Sequence, residues 1–175
     1  MTPFTIRMAR LADLSALDGI ALEAKAHWGY SAAQLAAWRD DLLTPADSLA
    51  SRPVFVAEIE DTVVGFTQVA TDVAPWEVWA LWVKPACMRR GIGKALLGRA
   101  RSFAAAAGQR QLAIDADPNA SEFYLRCHAI PVGVVPAPIP GAPVRVRPQF
   151  LLDTGAAGIA DQSEAATMLS TQYRL

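Results

Sequence analysis

The stretch Leu81-Trp82-Val83-Lys84-Pro85-Ala86-Cys87-Met88-Arg89-Arg90-Gly91-Ile92-Gly93-Lys94 decides how this chain is read. Its first three residues end the apolar run Trp76 to Val83, which has strand composition. Pro85 to Arg90 reads as a loop. Gly91 then opens a run to Ala107 with Ile92, Leu96, Ala100, Phe103 and Ala107 at helical spacing, and Gly108 stops it. A helix N-terminus carries unpaired N–H groups and the positive end of the helix dipole. Gly91 and Gly93 lack a Cβ, so a phosphate can come close to that backbone. Arg89, Arg90 and Lys94 add positive charge. A strand, a basic glycine loop and a long helix in this order predict a pyrophosphate cradle over Met88 to Lys94.

The wider charge pattern agrees. From Val78 to Ile114 there is no Asp or Glu, yet there are seven bases: Lys84, Arg89, Arg90, Lys94, Arg99, Arg101 and Arg110. The whole chain has a net charge of −1, which disfavours a nucleic-acid partner because phosphate-backbone binding draws on excess Lys and Arg. One small, highly charged ligand fits better. A P-loop is excluded, since no GxxxxGK run precedes a Ser or Thr. A dinucleotide fingerprint fails where Leu96 replaces its third glycine, although Asp115 and Asp117 lie near the distance its acid requires.

Outward from this core, the 175 residues are 53% apolar and 19% charged, enough to bury one domain. Phe4 to Ala9 reads as a strand and Leu11 to His27 as a helix ended by Gly29. Ser31 caps an expected helix over Ala32 to Leu43. Pro53 to Glu60 and Thr62 to Thr71 read as a hairpin turning at Glu60-Asp61. In the strand Trp76 to Val83, simple alternation places Glu77, Trp79, Leu81 and Val83 on one face, with Trp82 in the core. Gln111 to Ala116 is an expected strand, Asn119 to Cys127 a short helix, and Ile130 to Val135 and Val144 to Leu152 two last strands. Six of the twelve prolines fall between Pro131 and Pro148, which marks a turn region or a sheet edge. The expected domain is 1–153, followed by an extension, 154–175, with a weak helix near Glu164 to Leu169. The cysteines, Cys87 and Cys127, form no CxxC, and with only His27 and His128 beside them no zinc site is expected. The start of the chain does not read as a secretory signal, and no stretch reads as a membrane span. A cytoplasmic protein without membrane or metal is the expectation.

The strand followed by Met88-Arg89-Arg90-Gly91-Ile92-Gly93 resembles the GCN5-related N-acetyltransferases, whose hallmark is a strand, then Q/R-x-x-G-x-G/A, then a helix. Asn119-Ala120-Ser121-Glu122-Phe123-Tyr124 is similar to that family's N-x-x-x-x-F-Y element, and the order of elements agrees from Phe4 to Asp153. The resemblance implies a single α/β domain: a mixed, mostly antiparallel sheet of about seven strands flanked by about four helices. It also implies acetyl-CoA as cosubstrate, with direct attack by an amine. By that analogy the amides from Met88 to Lys94 hold the pyrophosphate, the backbone around Leu81, Trp82 and Val83 pairs with the pantetheine arm, and Asn119 lines its groove. Tyr124 matches the usual general acid for the departing thiolate, since a phenol with a pKa of about 10 keeps its proton at neutral pH. Glu77 is the candidate base, because a carboxylate among apolar neighbours has a raised pKa. The family often has a Glu where Trp79 stands, Met88 replaces an Arg or Gln, and His128 replaces a Gly.

His27, Trp28 and Tyr30 are expected over the acceptor pocket, where aromatic faces hold a cationic amine, with Asp40 and Asp41 adding negative potential. The acceptor would be a small-molecule or peptide amine. A non-catalytic acyl-CoA-binding or sensor module is the alternative reading, and a basic helix face that binds RNA or acidic protein is a third. Homodimers are common in the family, and the Pro-rich strands and the tail are the segments that would serve one.

Overall fold

Val54–Ile59 (β2) and Thr62–Ala70 (β3) form an antiparallel hairpin. Its turn residues Glu60 and Asp61 have φ of 48° and 61°, the left-handed pair that a two-residue hairpin turn requires. The computed structural model describes residues 3–156. Thr5–Met8 (β1) adds to one side of the hairpin and Trp76–Val83 (β4) to the other. Gln111–Asp115 (β5), Ile130–Pro136 (β6) and Val146–Asp153 (β7) complete seven strands in the order β1-β2-β3-β4-β5-β7-β6. Only β4 and β5 are parallel; every other neighbouring pair is antiparallel. The mixed, mostly antiparallel α/β sheet expected from the sequence is what the chain forms.

Helices cover both faces. Leu14–Ala26 (α1) lays Leu17, Ile20 and Ala21 on Val54, Val56, Val63 and Phe66. Six residues, Ala32–Ala37 (α2), follow, with the Ser31 hydroxyl accepting from the Gln34 amide at 3.2 Å. Arg39–Leu42 (α3) and Ser48–Ser51 (α4) are single turns. The helix expected over Ala32 to Leu43 is thus two pieces, parted at Trp38 (φ −94°, ψ 0°). Its indole turns inward against the Tyr30 ring, 4.9 Å between centroids. On the opposite face Ile92–Ala106 (α5) buries Ile92 and Leu96 against Phe55, Ala57 and Val64, and Leu97, Ala100 and Ala104 against Val69, Val78, Leu112 and Ile114. Ser121–Arg126 (α6) packs through Tyr124 into this same core.

β4 departs from simple alternation, and the departure matters for function. Val69 pairs with Val78 and Gln68 with Ala80, so Trp79 has no residue opposite it. This bulge shifts the pleat by one residue. Trp76 and Val78 share the α5 face with Leu81 and Val83, whereas Trp82 and Ala80 pack on the α1 side. Glu77 alternates with Trp76 and Val78 and therefore lies on the α1 face, away from Leu81 and Val83. The single-face expectation for Glu77, Trp79, Leu81 and Val83 fails for this reason; Trp82, expected in the core, is partly buried and packs against the α1-side cluster. Trp79 is 55% exposed and lies under the Arg52 guanidinium at 4.5 Å.

At the end of β7, Thr154 is buried and its amide donates to the Arg110 carbonyl at 3.0 Å. The helix expected near Glu164 to Leu169 lies outside the described residues. Among the described residues, no helix is long and apolar enough to cross a membrane, and no group of three or more His, Cys, Asp or Glu is placed to hold a metal ion.

Candidate active site

β4 and β5 pair at two positions only, Trp76 with Leu112 and Glu77 with Ala113. Beyond them β5 continues to Asp115 on the arm of β7, and β4 runs on to Val83 beside β3. The two parallel strands therefore part, leaving a cleft between Val78–Val83 and the end of β5. The first turn of α5 spans its mouth. A Cβ built on Gly93 would stand 3.3 Å from the Phe123 ring and 3.8 Å from Val83, so the turn is wedged between the residues that follow the two parted strands.

The loop before α5 is shaped by backbone. Pro85–Cys87 forms a 3-10 turn. Arg89 (φ 58°) and Gly91 (φ 83°) take left-handed conformations, and at Gly91 a side chain would be strained. The first bond into the helix runs from the Ala95 amide to the Gly91 carbonyl at 3.0 Å. The amides of Ile92, Gly93 and Lys94 thus have no partner within the helix. Met88 differs: its amide donates to the Pro85 carbonyl at 3.1 Å, so the expected cradle shortens at that end. Arg89, Arg90 and Lys94 form no ion pair among the described residues. Arg99, farther along, covers the Phe55 ring at 4.6 Å.

Across the cleft, Tyr124 is 7% exposed, edge-on to Phe123 and tilted on Phe150. Burial, with a smaller contribution from Cys127, pushes its phenol well above the ordinary value, so it keeps its proton throughout the physiological range. Asn119 sits in the 3-10 turn Pro118–Ala120, and both its amide (3.0 Å) and its side-chain Nδ2 (2.9 Å) donate to Asp117 Oδ1. The Asn119 side-chain oxygen is the end not engaged by these bonds.

The α1 side of the cleft holds a cluster that sequence reasoning missed. Asp117 accepts from Lys25 Nζ, from Tyr30 Oη at 2.8 Å, from Asn119 and from Arg145 at 3.4 Å. Arg145 comes from the connection between β6 and β7 and also donates to the Ala137 carbonyl at 3.1 Å. Lys25 Nζ lies 4.5 Å from the Trp38 ring centre, 4.8 Å from Tyr30 and 6.0 Å from Trp82. Tyr30 and Trp38 do face a cation, but it belongs to this chain. His27 is exposed beside Trp28. Burial raises the Asp117 carboxyl, but the Lys25 ammonium and the other donors outweigh that and hold it below the usual range. The one local signal was Lys25 itself, which continues the Leu17, Ile20, Ala21, Ala24 core stripe of α1.

Glu77 is half-buried where the cleft closes and has no ion-pair partner among the described residues. Burial, then repulsion from Asp115, pushes its carboxyl up. Toward β3, Asp41, Leu42, Gln68, Trp79, Ala80 and Trp82 line a cavity of about 60 Å³, which puts Asp41 on the α1 side of the sheet with Ala80 and Trp82.

Residues 50–128, from just before β2 to just after α6, match the family model for the acetyltransferase (GNAT) domain. That stretch is similar to the GNAT acetyltransferase domain. No curated protein matches the chain significantly. Among solved structures, it is similar to a GCN5-related N-acetyltransferase from Rhodopseudomonas palustris, with 22% identity over 87% of this chain and 97% of that one and a TM-score of 0.74. It is also similar to the PaiA N-acetyltransferase of Thermoplasma acidophilum, solved with coenzyme A (20% identity, 86% and 99% coverage, TM-score 0.67). A third is yncA of Salmonella typhimurium, solved with its cofactor acetyl-CoA (20% identity, 89% and 96% coverage, TM-score 0.65). At these identities the likeness is one of fold.

Proposed function

We propose that this protein is a GNAT-type, acetyl-CoA-dependent N-acetyltransferase that passes an acetyl group to a primary amine by direct attack in a ternary complex. The observation that carries the reading is the cleft between β4 and β5, opened after two residue pairs and ending on the first amides of α5, which have no partner among the described residues. The fit to a coenzyme A diphosphate is supported by Gly93, whose missing Cβ leaves the turn close against Phe123, and by the acid-free, left-handed approach at Arg89 and Gly91. Acetyl-CoA, when bound, supplies an activated thioester.

The chain's own residues do the rest. The amides of Ile92, Gly93 and Lys94 hold the diphosphate, with Arg89 and Arg90 beside it and Met88 contributing only its side chain. The free edge of β4 around Leu81, Trp82 and Val83 accepts the pantetheine arm as a strand would, and its N–H groups favour the negative charge that develops on the thioester oxygen. Asn119, pinned by Asp117, presents its side-chain oxygen to that arm. Tyr124 donates its proton toward the departing sulfur. Glu77, on the α1 face, accepts a proton from the ammonium through water as the amine enters.

Release of free thiol from acetyl-CoA, followed across small amines and peptide N-termini, tests the reading. Acceptor-dependent release is expected. Tight acetyl-CoA binding with no release to any amine, and no change on Tyr124→Phe, would favour a non-catalytic binding module instead.

A further inference from the structure

One primary amine is already inside the acceptor side of the cleft. Lys25 Nζ rests among Tyr30, Trp38 and Trp82 and bonds to Asp117. Trp82 stands on β4 between Leu81 and Val83, and Asp117 follows β5. The amine therefore bridges the two parted strands from the α1 face, opposite the α5 face where Leu81 and Val83 point.

Its charge is poorly matched there. Lys25 and Arg145, with side chains 10% and 8% exposed, share the single carboxylate of Asp117, itself 8% exposed. Arg145 Nε is buried with no hydrogen-bond partner. A guanidinium does not give up its proton in a protein, whereas an amine does. Two buried cations against one anion are brought to balance only at Lys25. Burial lowers the Lys25 ammonium, against the pull of Asp117 and with help from Arg145 and Arg147. Burial thus makes the Lys25 proton easier to lose, and the amine without it is the nucleophile.

We infer that Lys25 is an internal acetyl acceptor, so that the protein acetylates its own α1 helix from the acceptor side of the cleft. The inference rests on the N-acetyltransferase reading above. In the step, Nζ attacks the thioester carbonyl carbon, a C–N bond forms and the C–S bond breaks. Sulfur leaves with the bonding electron pair and takes up one proton, the amine having lost one. The product is an uncharged amide. Asp117 is then left to Arg145, Tyr30 and Asn119, one anion to one cation.

The chain offers its own controls, because it has three lysines and the other two, Lys84 and Lys94, flank the diphosphate loop. The full-length protein is incubated with acetyl-CoA, and the modification is mapped by mass spectrometry after proteolysis. Lys25 should gain an acetyl group about tenfold faster than Lys84 or Lys94, as expected for a positioned amine. The half-time should not change with protein concentration, and Lys25→Arg, which keeps the charge, should abolish the gain. If Lys25→Arg does not fold, the ratio among the three lysines and the concentration series in the unaltered chain decide. Labelling spread evenly over the three, a rate that climbs with protein concentration, or an unmodified Lys25 would overturn the proposal. Calorimetry with acetyl-CoA and an external-amine assay run alongside: an unmodified Lys25 in a protein that acetylates external amines removes this inference alone. Failure to bind acetyl-CoA removes both it and the reading it rests on.

Discussion

The two faces of β4 are built from different materials. On the α5 face the site is backbone: the partnerless amides of Ile92, Gly93 and Lys94, a left-handed Gly91, and the free edge of a strand. On the α1 face it is side chain: Asp117 binds together α1, the α1–α2 connection, the turn after β5 and the β6–β7 connection through Lys25, Tyr30, Asn119 and Arg145. A backbone site tolerates changes in side chain, so Met88 can stand in the loop without removing an amide donor other than its own. A side-chain site has no such slack, because removing one partner leaves buried charge unmatched.

The largest effect is therefore expected on the α1 face. Asp117→Ala leaves Lys25 and Arg145 buried against no carboxylate and should cost about 3–5 kcal/mol of stability, read as a lower midpoint in urea. Because the Asp117 carboxyl is held below its unfolded value, its contribution is complete above the ordinary carboxylate range and fades as pH falls through the lowered native value. The gap between the native chain and Asp117→Asn should close in acid. A gap that persists unchanged into acid would show that the carboxylate's charge is not what joins these elements.

On the α5 face the sharpest test is Gly93→Val. Its Cβ would meet Phe123 at 3.3 Å, and its branches would fill the approach to the first turn. Affinity for acetyl-CoA should fall about a hundredfold, near 2.7 kcal/mol, in calorimetry. Met88→Ala should change it far less, since the Met88 amide is already used within the loop. Equal losses would mean that the diphosphate lies elsewhere.

This contrast also explains what was legible in the sequence. The loop proposed to hold the diphosphate is built from neighbours in the chain, so its strand, bases, Gly91, Gly93 and helix could be read from spacing. The Glu60-Asp61 hairpin and the Ser31 cap are local in the same sense. The α1-side cluster is not. Lys25 and Asp117 lie 92 residues apart, and Arg145 lies 115 from Tyr30, so only folding brings them together. The Trp79 bulge escaped for a related reason. It arises from register against β3, and it moves Glu77 to the face opposite the one that simple alternation assigned. The break at Trp38 likewise comes from an indole drawn toward Tyr30 and Lys25, not from a local breaker residue.

Tyr124 packs in the core through α6, and the proposed reading gives it a second role as proton donor. Tyr124→Phe keeps the packing on Phe123 and Phe150 and removes only the hydroxyl. A fall in kcat on the order of a hundredfold, with KM for acetyl-CoA held, is the outcome expected of a proton donor. An unchanged kcat with a lowered thermal midpoint would return the residue to packing alone.

Glu77 gives the smallest effect and the most direct contrast with Asp117, for their shifts have opposite signs. Burial and Asp115 raise the Glu77 carboxyl, so the folded state holds its proton more tightly than the unfolded chain. By linkage this residue works against stability as pH rises through its native value, where Asp117 works in favour. Glu77→Gln should therefore leave the thermal midpoint at neutral pH unchanged or slightly higher. The same change should cost activity. A water-mediated base acts only when ionised, so kcat/KM should rise with pH along an acid limb placed above the ordinary Glu value, and that limb should disappear in Glu77→Gln as kcat falls about tenfold at its plateau. Stability gained with activity lost separates a functional carboxylate from a structural one. A substitution that lowers the midpoint and leaves the acid limb in place would assign Glu77 to holding the closed end of the cleft, and the base to another group on the α1 face.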